Sequence, residues 1–211
     1  MSVEVATDLL WAIWYATWIA AVVWSARTKT QMKTDICGVH RLLLTFGLIF
    51  LLLLPVPSGK PLLGVAPMAW CGEKLWREPA WLSWLLFALA AAGFGFCWWA
   101  RLHLGRLWSG FVTLKEGHRI VDTGPYGWVR HPIYTGIMFA ALMTALLRAT
   151  PFALAGVVLI VAGLSMTAKV EERFLRRELG TGAYDAYSSR VGMLLPGIGD
   201  GIVPLRESPA S

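Results

Sequence analysis

Arg130-His131-Pro132 is the sharpest chemical feature of this sequence. A guanidinium beside an imidazole, pinned by proline at a helix start, suits an anionic group on a ligand. The open N–H donors of that helix end would face the same way. The triplet lies inside Gly124-Pro-Tyr-Gly-Trp-Val-Arg-His-Pro-Ile-Tyr-Thr-Gly136, which holds two prolines, three glycines and two tyrosines in thirteen positions. Proline fixes φ and removes a donor, while glycine permits left-handed backbone or close approach. The expectation is a rigid corner that presents Arg130 and His131 and enters a helix at about Pro132. An arginine that merely anchors to lipid phosphate needs no such backbone; a ligand pocket does.

Glu171 and Glu172 follow an apolar run with Lys169 just before them. Adjacent carboxylates at a membrane edge gain nothing from lipid attraction, and burying one unpaired is costly. One of them is expected to pair with a ligand cation or with Arg130. A solvated helix face with Glu172 beside Arg176 is the ordinary alternative. Neighbours on a helix point about 100° apart, so at most one of the two is expected in the pocket. Beyond them Phe174, Leu175, Leu179, Tyr184 and Tyr187, broken by Gly180 and Gly182, predict an amphipathic helix, a turn and a short aromatic helix. Tyr184 and Tyr187 are suited to flank an adenine or a cation, or to anchor at an interface. Arg190, just before Val191-Gly-Met-Leu-Leu-Pro196, suits a substrate carboxylate.

Several chemistries lack their motifs. His103 and His118 have no partners at metal-ligand spacing, and neither HEXXH nor a Cys/His cluster occurs, so no metal site is expected. A GxGxxG fingerprint and a Walker loop are missing too. Cys37, Cys71 and Cys97 fall in three segments without CxxC spacing, which argues against a disulfide framework and makes Cys97 a small buried filler. The arginines track apolar boundaries rather than forming a groove, so no nucleic-acid partner is expected.

The elements that must position these groups are apolar. Of the 211 residues 56% are hydrophobic and only 15% charged, with 12 tryptophans and a mean hydropathy of +0.57. Soluble domains carry about a quarter charged residues. The fold expected is an all-α integral membrane protein with about five transmembrane helices, at 9–26, 42–56, 80–100, 132–147 and 151–168. The last two form a C-terminal hairpin around Arg148-Ala-Thr150, and the cofactor pocket lies on the cytoplasmic side. Tryptophans in the first segment suit the membrane interfaces. That segment does not read as a signal peptide, since Glu4 and Asp8 precede it in place of a basic region. In segment three, Ala90-Ala-Ala-Gly93 and Gly95 form a small-residue face for close helix packing. The stretch 112–121 reads as short extended or turn structure feeding the corner. Organisation follows as 1–100 for the first three helices, 101–203 for connector, hairpin and catalytic region, and 204–211 as a disordered tail. Placing 27–41, 101–130 and 169–211 on one side collects 15 of the 19 Lys/Arg there. The positive-inside rule then puts the N-terminus outside and the C-terminus in the cytoplasm.

Leu104-Gly-Arg-Leu-Trp-Ser109, Gly117-His118, the block from Val121 to Gly136, Glu171-Glu-Arg-Phe-Leu175, and Gly180-Thr-Gly-Ala-Tyr-Asp-Ala-Tyr-Ser-Ser-Arg190 running on to Pro196 resemble the isoprenylcysteine carboxyl methyltransferase family. The likeness is to its bacterial members in particular, and to the wider group that includes phospholipid methyltransferases. The N-terminal half matches only as hydrophobic segments. The resemblance implies an S-adenosylmethionine-dependent methyltransferase of the bacterial inner membrane, without a Rossmann domain. Its lipophilic or prenylated substrate would enter from the bilayer. By motif, the cofactor would be held by Gly124, Tyr126, His131, Tyr134, Gly136, the Leu195–Pro196 backbone and one of the two glutamates, here Glu171. Tyr184 and Tyr187 join that side as the aromatic pair. Arg130, Glu172 and Arg190 make up the expected catalytic set, the arginines orienting the acceptor or the cofactor carboxylate. Leu107 stands where relatives commonly have Asn, and Gly192 where they have Pro, so the acceptor is open to differ from a prenylated cysteine. Methyl transfer to a carboxylate is an in-line displacement that asks for alignment and exclusion of water more than for acid–base help. The other readings are a phospholipid or small-lipid N-methyltransferase, an NADPH-dependent sterol-type reductase, and a non-enzymatic membrane scaffold or transporter. Oligomeric state is left open.

Overall fold

Local sequence signals set most of the helix ends. In the protein's structure, a computed structural model describing residues 1–21, 28–31, 37–53, 73–108, 113–115, 120–179 and 181–197, α1 (Val3–Ala20) is capped by Ser2. Its side chain accepts from the Val5 N–H at 3.4 Å. β1 (Thr28–Gln31) pairs antiparallel with β2 (Thr113–Lys115), a two-stranded ribbon beside the helices of the described residues. The second strand matches the extended structure expected before the corner. α2 (Cys37–Leu48) runs into a π-helical stretch at Ile49–Leu53. α3 (Ala80–Leu104) starts after Pro79 and stops at Gly105, whose φ is +59°. α4 (Pro132–Arg148) has proline at its first turn and ends in left-handed Ala149. Thr150 then caps α5 (Pro151–Leu179), its Oγ1 accepting from the Ala153 N–H at 3.2 Å. α6 (Thr181–Ser188) is the short aromatic helix. The amphipathic stretch predicted after residue 168 is no separate element: α5 carries it without a break to Leu179.

The helices pack as neighbours in a row, α1 on α3, α3 on α4, α4 on α5 and α5 on α2. Small residues make the tightest crossings. A Cβ on Gly136 would lie 2.5 Å from Cys97 Sγ and 2.7 Å from the Gly93 carbonyl oxygen, and one on Gly156 would lie 2.7 Å from the Gly47 oxygen. Gly93 thus does what its small-residue face predicted, whereas Gly95 has open space around it. Cys97 is buried and free, and its thiol donates to the Ile133 carbonyl at 3.3 Å. The tryptophans of α1 face the core rather than an interface. Trp11 and Trp14 are buried against Phe94, and the Trp11 indole donates to Thr144 Oγ1 at 3.0 Å.

About five transmembrane helices were expected, and the described residues contain two that are long and apolar enough to cross a membrane, Ala80–Leu104 and Pro151–Glu178. The physical reasons differ for the rest. α1 contains Glu4, Asp8 and four aromatic residues with polar atoms, which lower its hydropathy. Gly38–Leu53 and Pro132–Arg148 are apolar but short, against the roughly 20 residues that a hydrocarbon core requires. The two long helices agree with membrane association. The expected disordered tail at 204–211, most of the 58–79 loop, His118 and Gly180 lie outside the described residues.

Candidate active site

The corner is built from the backbone outward. A 3₁₀ turn, Gly124–Gly127, opens it with Gly124 at φ +58°. That left-handed backbone favours glycine, and a Cβ would also push on the His103 ring at 2.7 Å. The Tyr187 hydroxyl donates to the Tyr126 carbonyl at 2.7 Å and ties α6 to this turn. Beyond it the chain zips against the strip after Arg190. Val129 bridges Gly192 in parallel, the Arg130 N–H donates to the Gly192 oxygen at 2.8 Å, and the His131 N–H donates to the Met193 oxygen at 3.1 Å. Thr135 Oγ1 extends the seam, donating to the Leu194 carbonyl at 2.7 Å.

Onto this frame α5 delivers both glutamates. Arg130 donates from Nε to Glu172 Oε1 at 2.7 Å and from Nη2 to Glu172 Oε2 at 3.3 Å, a forked pair. Its Nη1 donates to the Ser188 carbonyl at 2.9 Å and also to that of Val191. The pair is buried, with side-chain exposures of 2% and 12%. His131 Nε2 lies 3.2 Å from Glu172 Oε1, and its Nδ1 lies 3.7 Å from Glu171 Oε2. Tyr134 donates to Glu171 Oε2 at 3.0 Å, and its ring stacks on His131 with 1° between the planes. Both carboxylates therefore turn toward the corner, where one at most was expected. The stacked rings of His131 and Tyr134 span the angle between them. Arg176, the alternative partner for Glu172, instead pairs with Asp185 at 2.7 Å.

The structure thus gathers Arg130, His131, Tyr134, Glu171 and Glu172, with Tyr184 lining the cleft beside Glu172. Tyr126, Tyr184 and Tyr187 are buried, and burial pushes all three phenols above their ordinary range. For Tyr184 the nearby Glu172 charge adds to the rise, while for Tyr187 Arg130 opposes it. The raised values favour the neutral phenol in each, and the Tyr187 hydroxyl is the one that ties two elements together. Other expected site residues lie apart. Arg190 is exposed, pairing with Asp122 at 3.4 Å and donating to the Ala186 carbonyl. Leu195 and Pro196 are exposed, while Gly136 sits in the α3–α4 crossing. Sequence reasoning missed Arg101, which is fully buried on α3. It donates to the Ala21 and Gly105 carbonyls, each at 2.8 Å, and lies 4.2 Å over the Trp108 ring. A lone arginine at the end of an apolar run gives no local sign of such a role.

Residues 84–177 match the isoprenylcysteine carboxyl methyltransferase (ICMT) family, a segment running from α3 through the corner to both glutamates. Arg190, Leu195 and Pro196 fall beyond it. Over 86 residues the chain is 36% identical to the protein-S-isoprenylcysteine O-methyltransferase of Saccharomyces cerevisiae, covering 40% of this chain and 36% of that protein. Over 50 residues it is 34% identical to the uncharacterized protein YpbQ of Bacillus subtilis, covering 24% of this chain and 30% of that one. The matches span about a third of these relatives' lengths. Over residues 84–177, from within α3 through the corner and α4 to the late turns of α5, the chain is similar to the ICMT family.

Proposed function

We propose that this protein is a membrane methyltransferase that uses S-adenosylmethionine and acts on a lipophilic acceptor, the carboxylate of an isoprenylcysteine-like compound being the best candidate. The observation that carries the reading is the convergence of His131, Tyr134, Glu171 and Glu172 at one point within the matched segment. The residues fit such a cofactor. Glu172 is matched by Arg130 and His131, but Glu171 takes its hydrogen bond from a neutral phenol and stays 31% exposed at its side chain. A partly exposed carboxylate beside a stacked aromatic pair suits a cationic sulfonium or an amino group. When bound, the cofactor supplies an electrophilic methyl group. Glu171 and the His131–Tyr134 stack would hold and orient it, while Arg130 fixes Glu172 and the 191–194 strip around the site. Arg130 then acts by positioning rather than by touching the acceptor. The buried corner and the apolar helices would exclude water and admit an acceptor from lipid. By the positive-inside rule, this end of the molecule faces the cytoplasm, in a bacterial inner membrane.

The test is transfer of label from S-adenosylmethionine by purified protein in lipid, with N-acetyl farnesylcysteine offered beside phosphatidylethanolamine. A base-labile methyl ester, lost in Glu171→Gln, is the expected result. Label in the phosphatidylethanolamine alone would replace carboxyl methylation by N-methylation. Failure to bind S-adenosylhomocysteine would end the methyltransferase reading.

A further inference from the structure

The C-terminal end of α5 carries a feature that the methyl-transfer reading does not use. Lys169, Glu172, Arg173, Arg176 and Tyr184 line an open cleft of about 410 Å³, within the size range of small-molecule sites. Two of its charges are cancelled by the protein itself, since Glu172 pairs with Arg130 and Arg176 with Asp185. Lys169 and Arg173 belong to no ion pair among the described residues, and both are exposed. Arg173 Nε donates to the Lys169 carbonyl at 3.2 Å, which bends its side chain back along the helix toward that lysine. Four residues apart on a helix, the two stand about 5–6 Å apart at their Cβ atoms. The cleft therefore has two uncompensated cations on one face and a buried tyrosine as a further wall.

We propose that this cleft binds a phosphate group, and that its position at the end of an apolar helix suits the phosphate of an anionic lipid headgroup. Lys169 is the first charged residue after the apolar part of α5, so the cleft sits where headgroups lie. A tetrahedral phosphate offers oxygens to both cations at once, with the guanidinium able to donate from two nitrogens. The site is separate from the proposed cofactor contacts at Glu171, His131 and Tyr134, though Glu172 borders both.

The experiment is calorimetric titration of the full chain in neutral detergent with three probes: dihexanoylphosphatidylglycerol, dihexanoylphosphatidylcholine and inorganic phosphate. Saturable phosphatidylglycerol binding is expected to weaken about tenfold or more in the Lys169→Gln/Arg173→Gln variant, with phosphatidylcholine binding weaker from the start. Inorganic phosphate binding as tightly as phosphatidylglycerol, with the same loss, supports the site and makes free phosphate its source. Equal binding of both lipids, no binding of any probe, or an unchanged affinity in the variant overturns the proposal. Lys169→Glu alone is the second variant, and its charge reversal should weaken binding further than Lys169→Gln. Binding of S-adenosylhomocysteine reports on the methyltransferase reading independently, and it is expected to survive in these variants.

Discussion

Arg130 meets protein on every side that is described: a forked pair with Glu172, the Ser188 carbonyl at the end of α6 and the Val191 carbonyl just beyond it. Removing it strands a nearly buried carboxylate, so Arg130→Ala is expected to destabilise by about 3–5 kcal/mol. Arg130→Lys should lose most of the same stability, because a single ammonium cannot make the fork and reach both carbonyls. Thermal and denaturant unfolding of the detergent-solubilised protein measures both, and the double cycle with Glu172→Ala isolates the pair. Additive single effects would show that the two side chains do not support one another. This residue was legible in one respect only. Proline and glycine spacing marked the corner and its exposed-looking cation, but the carbonyls that Arg130 binds lie 58 and 61 residues away. Backbone acceptors carry no signature in sequence, so the arginine read as a ligand group rather than as a clasp. That one of Glu171 and Glu172 could pair with Arg130 was also legible, but the choice of Glu172 was not, because adjacent carboxylates on one helix carry the same local signal.

Elements were more legible than contacts, because helix ends and apolar periods are local. Pro132, Thr150 and Pro151 sit where first-turn and capping chemistry place them. Choosing which small residue makes a crossing takes the full helical period. Ala90, Gly93, Cys97 and Ala100 form one buried stripe of α3, and Gly95 falls off it. The same period puts Trp11, Trp14 and Trp18 on one side of α1, a stripe that reads as core once length and neighbours are known. The stripe makes a paired prediction. Gly136→Ala needs α3 and α4 to separate, since its Cβ would meet backbone and a buried sulfur, and a loss of about 1–3 kcal/mol is expected. Gly95→Ala meets nothing within 4 Å and removes a poor helix former, so it is expected to be neutral or to gain up to about 1 kcal/mol. Unfolding midpoints of the two variants compared with wild type decide it. Equal losses would mean that α3 and α4 do not cross at Gly93 and Gly136.

At the scale of the whole molecule, ion pairs and backbone bonds sort the elements into two ends. Lys74 contacts Glu4, Glu78 and the Leu147 carbonyl, the Leu75 N–H donates to Ala149, and Arg148 pairs with Asp8. The start of α1, the approach to α3 and the α4–α5 turn therefore share one end. Arg101, the corner, the last turns of α5 and the strip after α6 hold the other. The two helices long enough to cross among the described residues, α3 and α5, run parallel between these ends. Counting apolar runs overestimated the crossings because the count takes in runs too short, or too rich in polar atoms, to span a hydrocarbon core. Charge is the better guide to sidedness, and it can be tested without deciding how the shorter helices sit. With Cys37 and Cys71 replaced by serine and Cys97 left in its buried place, Lys74→Cys and Arg173→Cys each offer one accessible thiol. A membrane-impermeant maleimide added to intact bacterial cells stripped of their outer membrane is expected to label Lys74→Cys, with Arg173→Cys reacting only after the cells are opened. Labelling in the reverse order would invert the molecule and move the site to the outer face. Labelling of both from outside would mean that α3 and α5 do not separate the two ends, and that the apolar helices lie on a membrane rather than across it.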